Sequence, residues 1–252
     1  MQLPARSLAV LVILALACGL VVVSFTNIRH ALPDLLGSFL PGLLEGTWVT
    51  IQITIGGCVL AVIAAVVAAL LKLYGPLPLR WLAVVYIEIF RGTSALVQLF
   101  WLFFVLPTFG ISLAPLTVAI LTLGLNVGAY GAEVVRGAVL AVPRGQWEAT
   151  IALNMPRLQA LRRIILPQAF VAMIPPWGNL FIELLKATAL VSLITISDLA
   201  FKAEEMNSTT YRTIEIFSIV LVFYLAIATL ITIAMRQLEF FAARGLARGR
   251  TQ

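Results

Sequence analysis

Long apolar runs, each closed by a polar or charged cluster, set the pattern of this chain. Six are legible: Leu8 to Phe25, Gly46 to Leu73, Arg80 to Leu106, Ile111 to Val135, Gln168 to Leu199 and Tyr211 to Met235. A helix needs roughly 20 predominantly apolar residues to cross a bilayer, and these runs reach or approach that length. Stretches such as Val59 to Leu71 are apolar on every face, which the alternating strands of a membrane β-barrel do not allow. The pattern therefore predicts an all-α, polytopic membrane helical bundle. The first run admits a second reading as a secretory signal, because Arg6 precedes it and small residues surround Cys18. Its length exceeds the usual apolar stretch of such signals and favours a retained helix.

Composition agrees with this class. Apolar residues make up 62% of the chain and charged residues 11%, too little charge to clothe a soluble domain of this size. The net charge of +6 does not point to nucleic acid, because most Lys and Arg flank the apolar runs. There they report topology. With the segment between the fourth and fifth runs placed inside, Arg6, Lys72, Arg80, Arg136, Arg144, Arg157, Arg162, Arg163, Arg236, Arg244, Arg248 and Arg250 are cytoplasmic, against Arg29, Lys202 and Arg212 outside. Both termini then face the cytoplasm. Cys18 and Cys58 fall inside apolar runs and read as buried thiols. The single histidine, His30, leaves no His-based metal or catalytic cluster to assemble.

The segment from Arg136 to Gln168 is too charged to span and too periodic to be a plain link. Trp147, Ile151, Met155, Leu158, Leu161 and Ile165 recur at helical spacing, with Arg144, Glu148, Arg157, Arg162 and Arg163 largely elsewhere on the wheel. Pro143 and Gly145 precede a first short helix, Asn154 and Pro156 interrupt it, and Pro167 closes a second. Asn tolerates the left-handed backbone that ends a helix, so Asn154 is the expected corner. Glu148 sits in the first turn, where the helix dipole favours a carboxylate. On physics alone the segment is either an amphipathic linker on the membrane surface or a docking element.

Glu148-Ala149-Thr150, then Asn154, then Ile164-Ile165-Leu166-Pro167-Gln168 resemble the EAA motif of binding-protein-dependent ABC importer permeases. Thr150 and Asn154 depart from that motif, which has Ala and Gly there. Gly46-Thr47-Trp48-Val49-Thr50-Ile51, Phe90-Arg91-Gly92-Thr93 with Gln98, Ala129-Tyr130 with Glu133 and Arg136, and Leu185-Lys186-Ala187-Thr188-Ala189-Leu190 are similar to the polar amino-acid permeases of the histidine and glutamine type. In detail the chain looks most like permease subunits assigned to ectoine and hydroxyectoine uptake. The resemblance implies a five-helix permease core with one extra N-terminal transmembrane helix. It divides the chain into 1–45, the added helix and an outer loop, and 46–252, a permease domain whose coupling loop is 136–168. It also implies that Trp147, Glu148, Ala149, Ile151, Asn154 and Met155 form the ATPase-coupling surface. The implied partners are ATP-binding subunits carrying ATP and Mg, a second permease copy, a periplasmic or lipid-anchored solute-binding protein, and the lipid of a bacterial inner membrane.

Ionisable groups in mid-bilayer cost about 2.5–3.5 kcal/mol each and need a partner or a purpose. Asn126, Tyr130 and Glu133 share a face of the fourth run, Asn179, Glu183 and Lys186 of the fifth, and Glu88, Arg91 and Gln98 of the third. Either they satisfy one another, as Glu183 with Lys186 and Glu88 with Arg91, or Arg91, Gln98, Asn126, Glu133, Glu183 and Lys186 line a translocation path. Pro175 and Pro176 predict a kink at the start of the fifth run. No phosphate-cradling G-x-x-x-x-G-K-[ST] loop occurs in the sequence. Energy must then come from a separate ATPase or from an ion gradient, the second being the reading as a stand-alone secondary transporter or channel. No cofactor and no catalytic residue is expected on this chain.

Overall fold

The computed structural model describes residues 39–248. The predicted N-terminal helix Leu8 to Phe25, with Cys18, Arg29 and His30, lies outside the described residues. Among those described there are no strands. Helix α1 is Leu40–Tyr74, α2 Leu77–Gly92 and α3 Ala95–Phe100; a π turn Trp101–Val105 and a 3₁₀ turn Leu106–Phe109 extend α3. Then come α4 Pro115–Leu140, α5 Arg144–Ala152, α6 Arg157–Ala160, a π turn Leu161–Ile165, and α7 Leu166–Ala187 with a 3₁₀ end Thr188–Ile194. Helices α8 Leu199–Thr210 and α9 Thr213–Arg248 complete the chain.

Four stretches are long and apolar enough to cross a membrane: Leu40–Tyr74, Pro115–Leu140, Arg157–Ile194 and Thr213–Ala243. The pair α2 and α3 with its extension is apolar and long enough only when taken together, and it is bent by 107°, the geometry of a broken span or a re-entrant loop. The expectation of one straight helix from Arg80 to Leu106 is thus corrected. Gly92 ends α2, and Thr93 and Ser94 are extended, a polar small-residue run that breaks the helix. The stretch between the fifth and sixth apolar runs folds as helix α8.

Small residues let the spans approach. Ala61, Ala65 and Ala69 of α1 are fully buried, opposite glycines of α4. A Cβ at Gly128 would lie 3.0 Å from the Ala64 Cβ, and one at Gly131 2.5 Å from the Trp177 ring of α7. Without an α4 backbone free of side chains there, Trp177 could not close the α1–α4–α7 core.

Helix α8 caps the bundle at the N-terminal end of α1. Asp198, fully buried, accepts the Phe201 N–H on Oδ1 at 2.9 Å as the N-cap of α8. Its Oδ2 has no hydrogen-bond partner, and burial pushes the carboxyl up to about 6. Thr50 of α1 accepts the Leu199 N–H at 3.2 Å, and Gly46 passes so close that a Cβ there would meet the Asp198 carbonyl at 2.7 Å.

One proline expectation is also corrected. Pro167 does not end the second loop helix: the chain runs from α6 through the π turn directly into α7, and the widened turn absorbs a residue with no N–H to give. Pro175 and Pro176 lie inside α7, which continues through both to Ala187.

Candidate functional site

Two constructions stand out, one at the break between α2 and α3 and one in the loop between α4 and α7. The break frees carbonyls at membrane depth, where each unmet group is costly. Asn126 of α4 donates to the Phe90 carbonyl at 2.8 Å and to Gln98 Oε1 at 3.2 Å. Gln98 in turn donates to the Phe90 carbonyl at 3.0 Å and to Thr93 Oγ1 at 2.6 Å. One turn along α4, the Tyr130 hydroxyl donates to the Arg91 carbonyl at 3.3 Å, and the Arg91 guanidinium lies over the Tyr130 ring at 5.4 Å. Of the path residues read from sequence, Arg91, Gln98 and Asn126 are therefore brought together.

The others are not. Glu133 is tied down: Lys72 of α1 donates to its Oε1 at 2.6 Å and Arg136 to its Oε2 at 2.8 Å. Glu183 and Lys186 are exposed and form no ion pair with each other; neither do Glu88 and Arg91. Lys186 instead borders an apolar cleft of about 450 Å³ between α7 and α9, together with Phe217 and Tyr224. Sequence reasoning missed Lys72 and Thr93 as members of these networks. Gly92-Thr93-Ser94 after Arg91 was the available signal for the break; nothing in the sequence pairs Lys72 with a residue 61 positions away.

The loop folds as an elbow. Helix α5 starts after Pro143, whose carbonyl takes the Gln146 N–H at 2.9 Å. Asn154 stands at φ 53°, the left-handed corner expected of it. Three bonds close the corner: Leu153 N–H to Ala149 at 3.0 Å, Asn154 N–H to Ile151 at 2.9 Å and Met155 N–H to Thr150 at 2.9 Å. Thr150 is buried and its hydroxyl donates to the Trp147 carbonyl at 2.7 Å. Gln168 at the start of α7 reaches back to Gln146 at 3.4 Å.

The periodic apolar stripe does not survive as one face, because the corner at Asn154 divides it between two helices. Trp147 is half-buried against the core of the bundle, and Met155 is half-buried too. Both had been expected to point at a partner. Glu148, Ala149 and Asn154 are exposed, and Ile151, Leu153 and Leu158 are bare at 75%, 71% and 77% exposure. Leu153 and Leu158 were missed as outward residues.

Residues 57–244 match the model of the family described as binding-protein-dependent transport system inner membrane component. The chain is 43% identical over 212 residues to a probable amino-acid ABC transporter permease protein of Sinorhizobium fredii, covering 82% of this chain and 89% of that protein. It is 36% identical to the glutamine transport system permease protein of Escherichia coli over 79% of this chain and 92% of that one. Among solved structures, an amino acid ABC transporter crystallised with histidines matches with a TM-score of 0.75 at 33% identity, over 81% of this chain and 95% of the other. The methionine ABC transporter MetNI in an inward-facing conformation shares the fold, with a TM-score of 0.68 at 20% identity over 80% and 96%.

Proposed function

The chain belongs to the inner membrane components of binding-protein-dependent transport systems, and on that premise we propose that it is the permease subunit of an ATP-driven importer of amino acids or related compatible solutes. The observation that carries the reading is the elbow: a helix held to the bundle through Trp147 and Gln146, with Thr150 buried, that bares Glu148, Ala149, Ile151 and, at its corner, Leu153, while Leu158 is bare just beyond the corner. Bare apolar side chains on a braced helix outside the spans fit the groove of a protein partner. That partner is an ATP-binding subunit, which holds the ATP and Mg; this chain hydrolyses nothing. The excess of Lys and Arg at the loop end supports placing the elbow and both termini in the cytoplasm.

In the cycle proposed, two permease copies pair, and a periplasmic or lipid-anchored binding protein delivers solute to the outer side. ATP binding draws the partner subunits together, the elbows move with them, and the spans open outward; hydrolysis resets them. The Arg91, Gln98 and Asn126 group at the broken span is the part of the path that meets solute. Its amides and guanidinium suit the carboxylate of an amino acid. Glu133 holds the frame beside the path, and Glu183 and Lys186 are path candidates only if α7 turns toward the break. The division into 1–45 and 46–252 is kept in this reading.

The test is ATP hydrolysis by the complex in lipid discs with the binding protein, measured with glutamine, histidine, arginine, cystine and ectoine in turn. Stimulation by one amino acid or by ectoine is expected. A chain that copurifies with no ATP-binding subunit, and moves solute on an ion gradient alone, is a secondary transporter instead.

A further inference from the structure

At the loop end of the bundle, four spans leave an apolar cleft of about 580 Å³ open to the outside of the protein, within the roughly 300–1,000 Å³ range of small-molecule sites. Val66 and Leu70 of α1, Val135 of α4, Phe170 of α7 and Ala242 of α9 line it, and the charged residue among its walls is Arg162, from the π turn before α7. All five apolar residues sit near the ends of their helices: Leu70 precedes Lys72, Val135 precedes Arg136, and Phe170 follows the start of α7. The cleft therefore opens where the hydrocarbon of a bilayer meets its headgroups. Arg162 is exposed and makes no ion pair or hydrogen bond among the described residues, unlike Arg136 nearby, which is spent on Glu133.

An unspent guanidinium at the mouth of an apolar cleft selects an occupant with two parts. Its body must be apolar, because water would meet almost no polar group on the walls. Its head must be an anion, because Arg presents a planar fork that suits a phosphate and no carboxylate among the described residues takes it. A free phosphate meets the second condition and leaves the cleft unfilled. We propose that the cleft holds an anionic phospholipid of the adjoining leaflet, with its phosphate on Arg162 and an acyl chain laid against Val66, Leu70 and Phe170. Such a lipid would touch α1, α4, α7 and α9 at once and would sit directly below the elbow. Basic pockets between helices at this level are suited to anionic headgroups, and juxtamembrane basic residues add to the attraction.

The experiment is native mass spectrometry of the full chain, with its ATP-binding subunit where that copurifies, equilibrated in detergent with equal amounts of phosphatidylglycerol and phosphatidylcholine. Retention of phosphatidylglycerol is expected, and Arg162→Gln should cut its preference about fivefold. Arg163→Gln, one residue along and outside the cleft walls, should leave it unchanged, and Val66→Trp should lower retention of both lipids by filling the cleft. Equal losses in Arg162→Gln and Arg163→Gln would reduce the effect to diffuse surface charge and overturn the site. So would undiminished retention in Arg162→Gln, displacement of the lipid by inorganic phosphate, or capture of a polypeptide rather than lipid by a photoreactive group at Ala242.

Discussion

Lys72 and Glu133 lie 61 residues apart in sequence and meet at 2.6 Å, pinning the end of α1 to the end of α4 just before the chain leaves for the elbow. With Arg136 on the other oxygen, the carboxylate serves two cations. Both members of the pair retain about a fifth of their exposure, 22% and 21%, which sets the pair between a surface bridge worth little and a buried one. Glu133→Gln is expected to lower stability by about 1–2 kcal/mol, read as a fall in Tm in detergent. A cycle with Lys72→Met should show coupling of at least about 0.5 kcal/mol. Additive effects would mean that the two side chains are independently hydrated.

Asn126 spans the break between α2 and α3, and its loss leaves the Phe90 carbonyl to Gln98 alone. Asn126→Ala is expected to lower solute-stimulated ATP hydrolysis about tenfold, equivalent to about 1.4 kcal/mol. Tyr130→Phe, which gives up only a 3.3 Å bond to the Arg91 carbonyl and keeps the ring beneath Arg91, should cost less. A larger defect in Tyr130→Phe than in Asn126→Ala would move the centre of the site away from the amide pair.

In the proposed function the elbow separates docking from packing within one turn of helix. Ile151→Asp places a charge on the bare side and should abolish copurification of the ATP-binding subunit while Tm stays within a few degrees. Trp147→Ala should do the reverse: removal of a half-buried aromatic from the core costs stability, about 2–3 kcal/mol, with the partner still bound by what folds. Glu148→Lys should leave the partner bound yet uncouple hydrolysis from transport; α5 starts at Arg144 and has no acid in its first turn, contrary to the expectation for Glu148, so unchanged coupling would leave Glu148 an exposed residue without a role at the helix start.

Asp198 predicts a pH dependence with a definite sign. Its folded pKa, about 6, stands above the ordinary value of 3.8 because burial disfavours the carboxylate. The stability it contributes is therefore fully present below about pH 3.8 and lost as pH rises through about 6. Asp198→Asn keeps an N-cap side chain for α8 and removes the charge, so Tm near neutral pH should rise and its slope between these limits should flatten. The shift caps the gain at about 3 kcal/mol. A lower Tm for the Asn variant at pH 7.5 would show that the second carboxylate oxygen has a stabilising partner such as an internal water.

Of the five apolar runs within the described residues, four became helices long and apolar enough to cross a membrane and the fifth a bent pair, close to where the pattern put them, because continuous apolar length is a local property that neighbours do not overrule. The corner at Asn154 was equally legible, since few residues tolerate that backbone. The break after Gly92 was not: its three polar or small residues interrupt the apolar run too briefly to lower its average. Trp147 and Met155 are half-buried rather than fully outward for a related reason. A helical wheel assumes one axis, and the corner gives the stripe two. The Lys72–Glu133 pair is invisible to any local pattern, and the ion pairs that local spacing offered instead, Glu183 with Lys186 and Glu88 with Arg91, did not form.

The corner at Asn154 carries a mechanical consequence. Three hydrogen bonds close it within seven residues, Ala149 to Met155, and the chain beyond it runs without a loop into α7, so the elbow resembles a bell crank more than a hinge. A push on the tip of α5 finds no slack to take up and is delivered as torque on α7. Trp177, wedged against Gly131, is where that torque reaches the centre of the bundle.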